Sequence, residues 1–159
     1  MKKWIRRELF GLLRVLIISL GVFSCTSLRP RKIHREVKDY SKSFMREMGL
    51  KDYNLNGYII GFSDMFVGQT IGVCFYGFRT IMLRESYWLK ASELQKKALV
   101  YHELGHCVCS AGLPKHDDRL HIMEPRCPAS IMHFSMPPEY CLEKYWNDYV
   151  DDLKETCNE

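Results

Sequence analysis

Between Ala98 and Gly112 the sequence reads ALVYHELGHCVCSAG, and its only charged side chain is Glu103, set between His102 and His106. On a helix, two residues four apart sit one turn apart on the same face. Two imidazoles so placed can both reach one divalent metal ion at about 2.0–2.1 Å. Glu103 stands about 100° around the helix from His102, beside the ligand face rather than on it. From there its carboxylate can reach a water on the metal without being a ligand. The remaining side chains are apolar nearly all round, the pattern of a buried helix. A buried carboxylate costs several kcal/mol unless it is partnered or neutralised, and a nearby dication removes that cost. The bland alternative is a set of satisfied core residues. It requires five positions, an apolar context, a capped helix start and a glycine stop to coincide.

His102-Glu103-Leu104-Gly105-His106 is the H-E-x-x-H pattern of zinc peptidases. A catalytic zinc site needs a third protein ligand and an open position for water. The donors downstream are His116, Asp117, Asp118, His121, Glu124 and His133. This motif, with Ser130-Ile131-Met132 after a loop, resembles the metzincin branch of zinc metallopeptidases and its Met-turn. The resemblance covers residues 79–136. The family's extended pattern is H-E-x-x-H-x-x-G-x-x-H, and this chain departs from it. Cys109 occupies the glycine position and Gly112 the third-histidine position. A helix longer by three residues, about 4.5 Å, would turn at Gly112 and bring His116 back to the metal. His116 is therefore the expected third ligand, with Asp117 and His121 next.

The resemblance implies Zn²⁺ on His102, His106 and His116, with Glu103 taking the proton of the attacking water and passing it to the leaving amine. Met132 would form a hydrophobic floor beneath the site. The strand near Thr80–Arg84 would border the cleft and pair with an extended peptide. The implied fold is α+β, a small zincin-like domain. A short mixed sheet packs on an N-terminal helix and the H-E-x-x-H helix, and a C-terminal helix follows the Met-turn. The implied activity is metalloendopeptidase action on a peptide or protein. Two other readings stand beside it: a zincin of another branch with Glu124 as third ligand, and a zinc-binding or disulfide-stabilised envelope protein without turnover.

The elements that must position these residues are legible in the pattern. From Lys32 to Leu50, Ile33, Val37, Phe44 and Met48 recur at helical spacing, with Tyr40 and Met45 flanking them, and Gly49 ends the run. Residues 57–63, 69–77 and 79–85 are rich in β-branched and aromatic types with glycine at their borders, and read as three strands. Ser92 and Gln95 form an S-x-x-Q capping box that starts a helix running to about Ala111. Gly112 and Pro114 stop it. Residues 113–137 hold four prolines and no long periodic run, and read as loop. Pro138 opens a last helix that buries Leu142, Tyr145, Trp146, Tyr149 and Leu153.

The chain has 159 residues, enough for one compact domain. Its net charge is +4, and residues 1–24 account for all of it, with Lys2, Lys3, Arg6, Arg7 and Arg14 against Glu8. The remainder is neutral, so no nucleic-acid partner is expected. Residues 1–24 read as a signal peptide, with a cationic start and an apolar run from Val15 to Phe23 too short to span a bilayer. Val22-Phe23-Ser24-Cys25 resembles a bacterial lipobox, which implies a lipid on Cys25, a tether over 25–32 and a metallopeptidase domain over 33–157. The expected location is the bacterial envelope, exported and lipid-anchored at the outer membrane or periplasmic face. Export fits the six further cysteines, Cys74, Cys107, Cys109, Cys127, Cys141 and Cys157, as disulfides. Sequence alone selects no pairing; Cys107 with Cys127 is the preferred one. Cys107 and Cys109 point in different directions on a helix and should not pair with each other.

Overall fold

The structure is a computed structural model that describes residues 32–51, 55–109, 116–121 and 124–158. The signal peptide, Cys25 and most of its tether, and the helix stop at Gly112 and Pro114, lie outside the described residues. The domain is α+β, as expected. Among the described residues no helix is long and apolar enough to cross a membrane.

Helix α1 spans Lys38–Glu47, after a single 3₁₀ turn at Arg35–Val37. It forms where Val37, Ser41, Phe44, Met45 and Met48 recur on one face, and that face is buried. Gly49, at φ +70°, ends it in a left-handed conformation that glycine adopts without penalty. The helix starts later than the periodicity predicts. Ile33 instead forms a parallel bridge to Ile60, so the first residues extend the sheet.

The sheet is mixed, with strands β1 (Ile59–Ser63), β2 (Gly72–Phe75) and β3 (Thr80–Arg84) in the order β1-β3-β2. β1 runs parallel to β3, and β2 antiparallel to it. The expected border strand, Thr80–Arg84, is therefore the middle strand and is hydrogen-bonded on both sides. The hairpin from β2 into β3 places β2 at the edge. A one-turn helix, α2 (Glu85–Trp88), follows β3.

Helix α3 spans Glu93–Val108 and carries the central motif. Both halves of its capping box are made: Gln95 N donates to Ser92 Oγ at 3.3 Å, and Ser92 N to Gln95 Oε1 at 3.0 Å. It ends three residues earlier than expected. Cys109 takes an extended backbone and is bonded to Cys157.

The stretch read as loop contains a two-stranded antiparallel ladder, β4 (Leu120–His121) with β5 (Glu124–Pro128). These strands are too short for an alternating pattern to register. Helix α4 spans Glu139–Asn158, with Pro138 accepting the first backbone bonds from Cys141 and Leu142. It buries Leu142, Tyr145, Tyr149 and Leu153; Trp146 is only partly covered, beside Tyr101.

The disulfides are Cys74–Cys107, Cys109–Cys157 and Cys127–Cys141. The preferred Cys107–Cys127 pairing is thus overturned. Cys74 lies on the edge strand over α3, with its Cα 5.7 Å from that of Cys107, while Cys127 faces α4. Cys107 and Cys109 take separate partners, as expected, with Cys109 just past the helix in extended backbone.

Candidate metal centre

His102 and Glu103 are buried residues of α3, and His106 is a half-buried residue of its last turn. His102 Nδ1 lies 2.8 Å from the carbonyl oxygen of Ile131. A carbonyl only accepts, so Nδ1 carries the proton and Nε2 presents a lone pair. Burial pushes the His102 pKa down to about 3, which keeps the ring neutral. His106 Nε2 lies 3.1 Å from His102 Nε2 and 3.1 Å from His116 Nε2. The nitrogens of all three residues lie within 4.8 Å of one another. Ligands at about 2.0–2.1 Å from a tetrahedral ion stand roughly 3.3–3.4 Å apart. The two distances from His106 are within a few tenths of an ångström of that spacing, and the residues fit a divalent ion.

His116 reaches the cluster because backbone pairing holds the next residue. Asp117 N donates to Met132 O at 3.0 Å, and Asp117 forms a parallel bridge to His133. The segment carrying the third imidazole is thereby fixed to the turn beneath the site. The other expected donors are engaged elsewhere. The Asp117 carboxylate accepts from Arg119 Nε at 2.7 Å, and this guanidinium holds its pKa below the usual range. His121 stacks on Tyr145, with ring centroids 3.9 Å apart. Glu124 accepts from Lys144 at 3.1 Å. Asp118 is exposed, and neither it nor His133 belongs to the cluster.

Met132 is 2% exposed. A Cβ placed on Gly105 would stand 2.7 Å from its Sδ, too close for a real contact. Gly105, between the two histidines of α3, is the notch into which the thioether packs.

Glu103 is 3% exposed, and burial raises its carboxyl to about 8. It lies against the start of the edge strand. A Cβ on Gly72 would fall inside 3.0 Å of the Glu103 carboxylate and its Cγ. Gly72 was not among the expected site residues. The signal was available, since an isolated glycine within a strand pattern marks a close backbone approach.

A cleft of about 980 Å³ opens over these groups. Residues 69–74 form one wall, residues 133–136 the other, and α3 the base. His133, 5% exposed, accepts at Nδ1 from Ser135 N at 3.1 Å.

Residues 67–124 match a family model described as "Putative phage metallopeptidase". The match spans 58 of the 159 residues and contains β2, β3, α3 and all three clustered histidines. It supports a metallopeptidase-like chain without selecting a branch of that class. No curated protein matches the chain, and no solved structure does.

Proposed function

We propose that the chain is a zinc-dependent endopeptidase of metzincin-like type. The observation that carries this reading is the meeting of three imidazole nitrogens beside a buried carboxylate at the base of an open cleft. His102, His106 and His116 would hold the ion. Bound there, Zn²⁺ would supply Lewis-acid polarisation of a peptide carbonyl and acidify a water.

The protein's own groups do the rest. The Ile131 carbonyl holds His102 in the tautomer that presents Nε2. Glu103, buried at the base of the cleft, takes a proton from the attacking water and delivers it to the leaving nitrogen. Gly72 lets the edge strand close against Glu103. β2, at the sheet edge along the cleft, receives an extended peptide by strand addition in place of the expected Thr80–Arg84.

The reading includes export and anchoring through Cys25. Its support is the cationic and apolar opening of the chain, the Val22–Cys25 pattern and three disulfides of the kind that persist outside the cytosol.

The test is Glu103→Gln in the full chain. Zinc content should stay at wild-type stoichiometry while hydrolysis of a peptide library is lost. A variant that cleaves as well as wild type removes the catalytic assignment. A wild type that binds zinc and cleaves nothing favours the non-catalytic envelope reading.

A further inference from the structure

The pleat of the sheet divides its side chains between two faces. Ile60 and Ile81 are each 1% exposed and Cys74 is bonded to α3, so their row faces the helices. The neighbouring row, Ile59–Thr80–Phe75, faces away from them. Ile59 and Phe75 are 38% and 45% exposed, and the turn after β2 adds Tyr76 at 57% and Phe78 at 76%. Arg79 closes this turn, and its carbonyl accepts from Ile59 N at 2.9 Å, which ties the turn to the start of β1. Four large apolar side chains thus crowd one end of the sheet, beside an exposed guanidinium. Clustered exposure of this kind marks a contact surface, whereas scattered apolar residues do not.

The chain enters the domain at the same end. Ile60 N donates to Lys32 O at 3.3 Å, and His34 N donates to Ile60 O at 2.8 Å. Lys32 is therefore strand-paired beside Ile59. Upstream in the sequence stand Cys25 and the apolar run Val15–Phe23. The seven steps from Cys25 to Lys32 span at most about 25 Å when fully extended.

We propose that Ile59, Phe75, Tyr76 and Phe78 form a bilayer-contacting surface that seats the domain on the membrane to which its N-terminal segment is anchored. This rests on the anchoring part of the proposed function. Aromatic side chains settle at the headgroup level of a bilayer, and the Lys32 and Arg79 charges complement anionic headgroups. None of the four apolar residues lines the cleft, so seating leaves the cleft open.

The experiment uses the full chain mixed with vesicles of phosphatidylethanolamine and phosphatidylglycerol, with and without brominated acyl chains. Phe78→Trp is compared with Tyr140→Trp, an exposed position on α4 outside the patch. Brominated lipid should quench the added emission of Phe78→Trp at least about twofold more than that of Tyr140→Trp, as an interfacial residue requires. Without any substitution, amide exchange over residues 75–79 should slow on vesicles. A chain that floats with vesicles but shows no excess quenching and unchanged exchange overturns the docking surface and leaves the anchor standing. A chain that does not float with vesicles overturns the anchor, and the docking surface with it.

Discussion

Cys74 of the edge strand is bonded to Cys107, the residue immediately after His106. The wall of the cleft and its base are therefore one covalent unit, joined across 33 residues of sequence. Replacing both cysteines by alanine should cost about 2–4 kcal/mol. Thermal unfolding at fixed zinc checks this, and peptide hydrolysis should fall further than the lost stability accounts for, because the strand is no longer held over Glu103. Unchanged turnover in the double variant would mean that the wall holds its place without the bond.

Metal should be felt as stability. A ligand that binds only the folded state raises stability by about 2.7 kcal/mol at one hundred times its dissociation constant. Excess zinc should accordingly raise the unfolding temperature of chelator-treated protein. His116→Ala should remove most of that rise, since it deletes one of three donors. An undiminished rise would move the third ligand to another residue.

Gly72→Ala should cripple Glu103 while sparing the metal. The atoms nearest the new methyl all belong to the Glu103 side chain. Hydrolysis should drop by roughly 10–100-fold, in line with a misplaced general base, at unchanged zinc stoichiometry. Equal activity in the variant would show that the strand yields freely.

Gly105→Ala pits two effects against each other. Alanine is the better helix former by about 1 kcal/mol. Its methyl collides with Met132 Sδ and meets Leu153 Cδ1 at 3.2 Å, and overpacking costs about 1–3 kcal/mol. The collision should win, with net destabilisation in urea unfolding. Pairing the change with Met132→Ala should relieve the clash, so the double variant should lose less than the sum of the two single losses.

The pH dependence of the metal-free protein follows from two buried groups with opposite signs. Glu103 is raised from 4.5 to about 8. The folded state holds that proton longer, so the contribution is complete below about pH 4.5 and is lost as pH rises through 8. His102 is lowered from 6.5 to about 3, so its contribution is in place above 6.5 and is lost as pH falls toward 3. Stability should therefore be greatest between about pH 4.5 and 6.5. Glu103→Gln should abolish the alkaline decline, which amounts to about 2 kcal/mol between pH 6.5 and 8. Urea titrations at pH 5 and pH 8 in chelator measure it; an equal decline in both proteins would assign the loss to other groups.

Much of the centre is written in local pattern. The capping box fixes where α3 begins, and four-residue spacing fixes which rings share a face. The burial of Met132 against Gly105 sits in a short motif. The return of His116 follows from a turn expected at Gly112, and its ring stands at the cluster. What escaped is non-local. The strand order depends on which side of β1 the hairpin joins, and no residue type records that choice. The cysteine partners depend on how α3, α4 and the edge strand cross. β4 and β5 are set by pairing with each other rather than by periodicity. Gly72 carries a local signal, but its importance comes from a carboxylate 31 positions away in sequence.

The backbone pairing of Asp117 with Met132 and His133 ties the third imidazole to residues that are made later, and those in turn lean on α4 through Tyr149 and the Cys127–Cys141 bond. A chain emerging from the ribosome or from a translocation pore has synthesised every donor well before it can assemble them. A prematurely truncated molecule should therefore carry the complete motif and fail to bring the third imidazole to the other two.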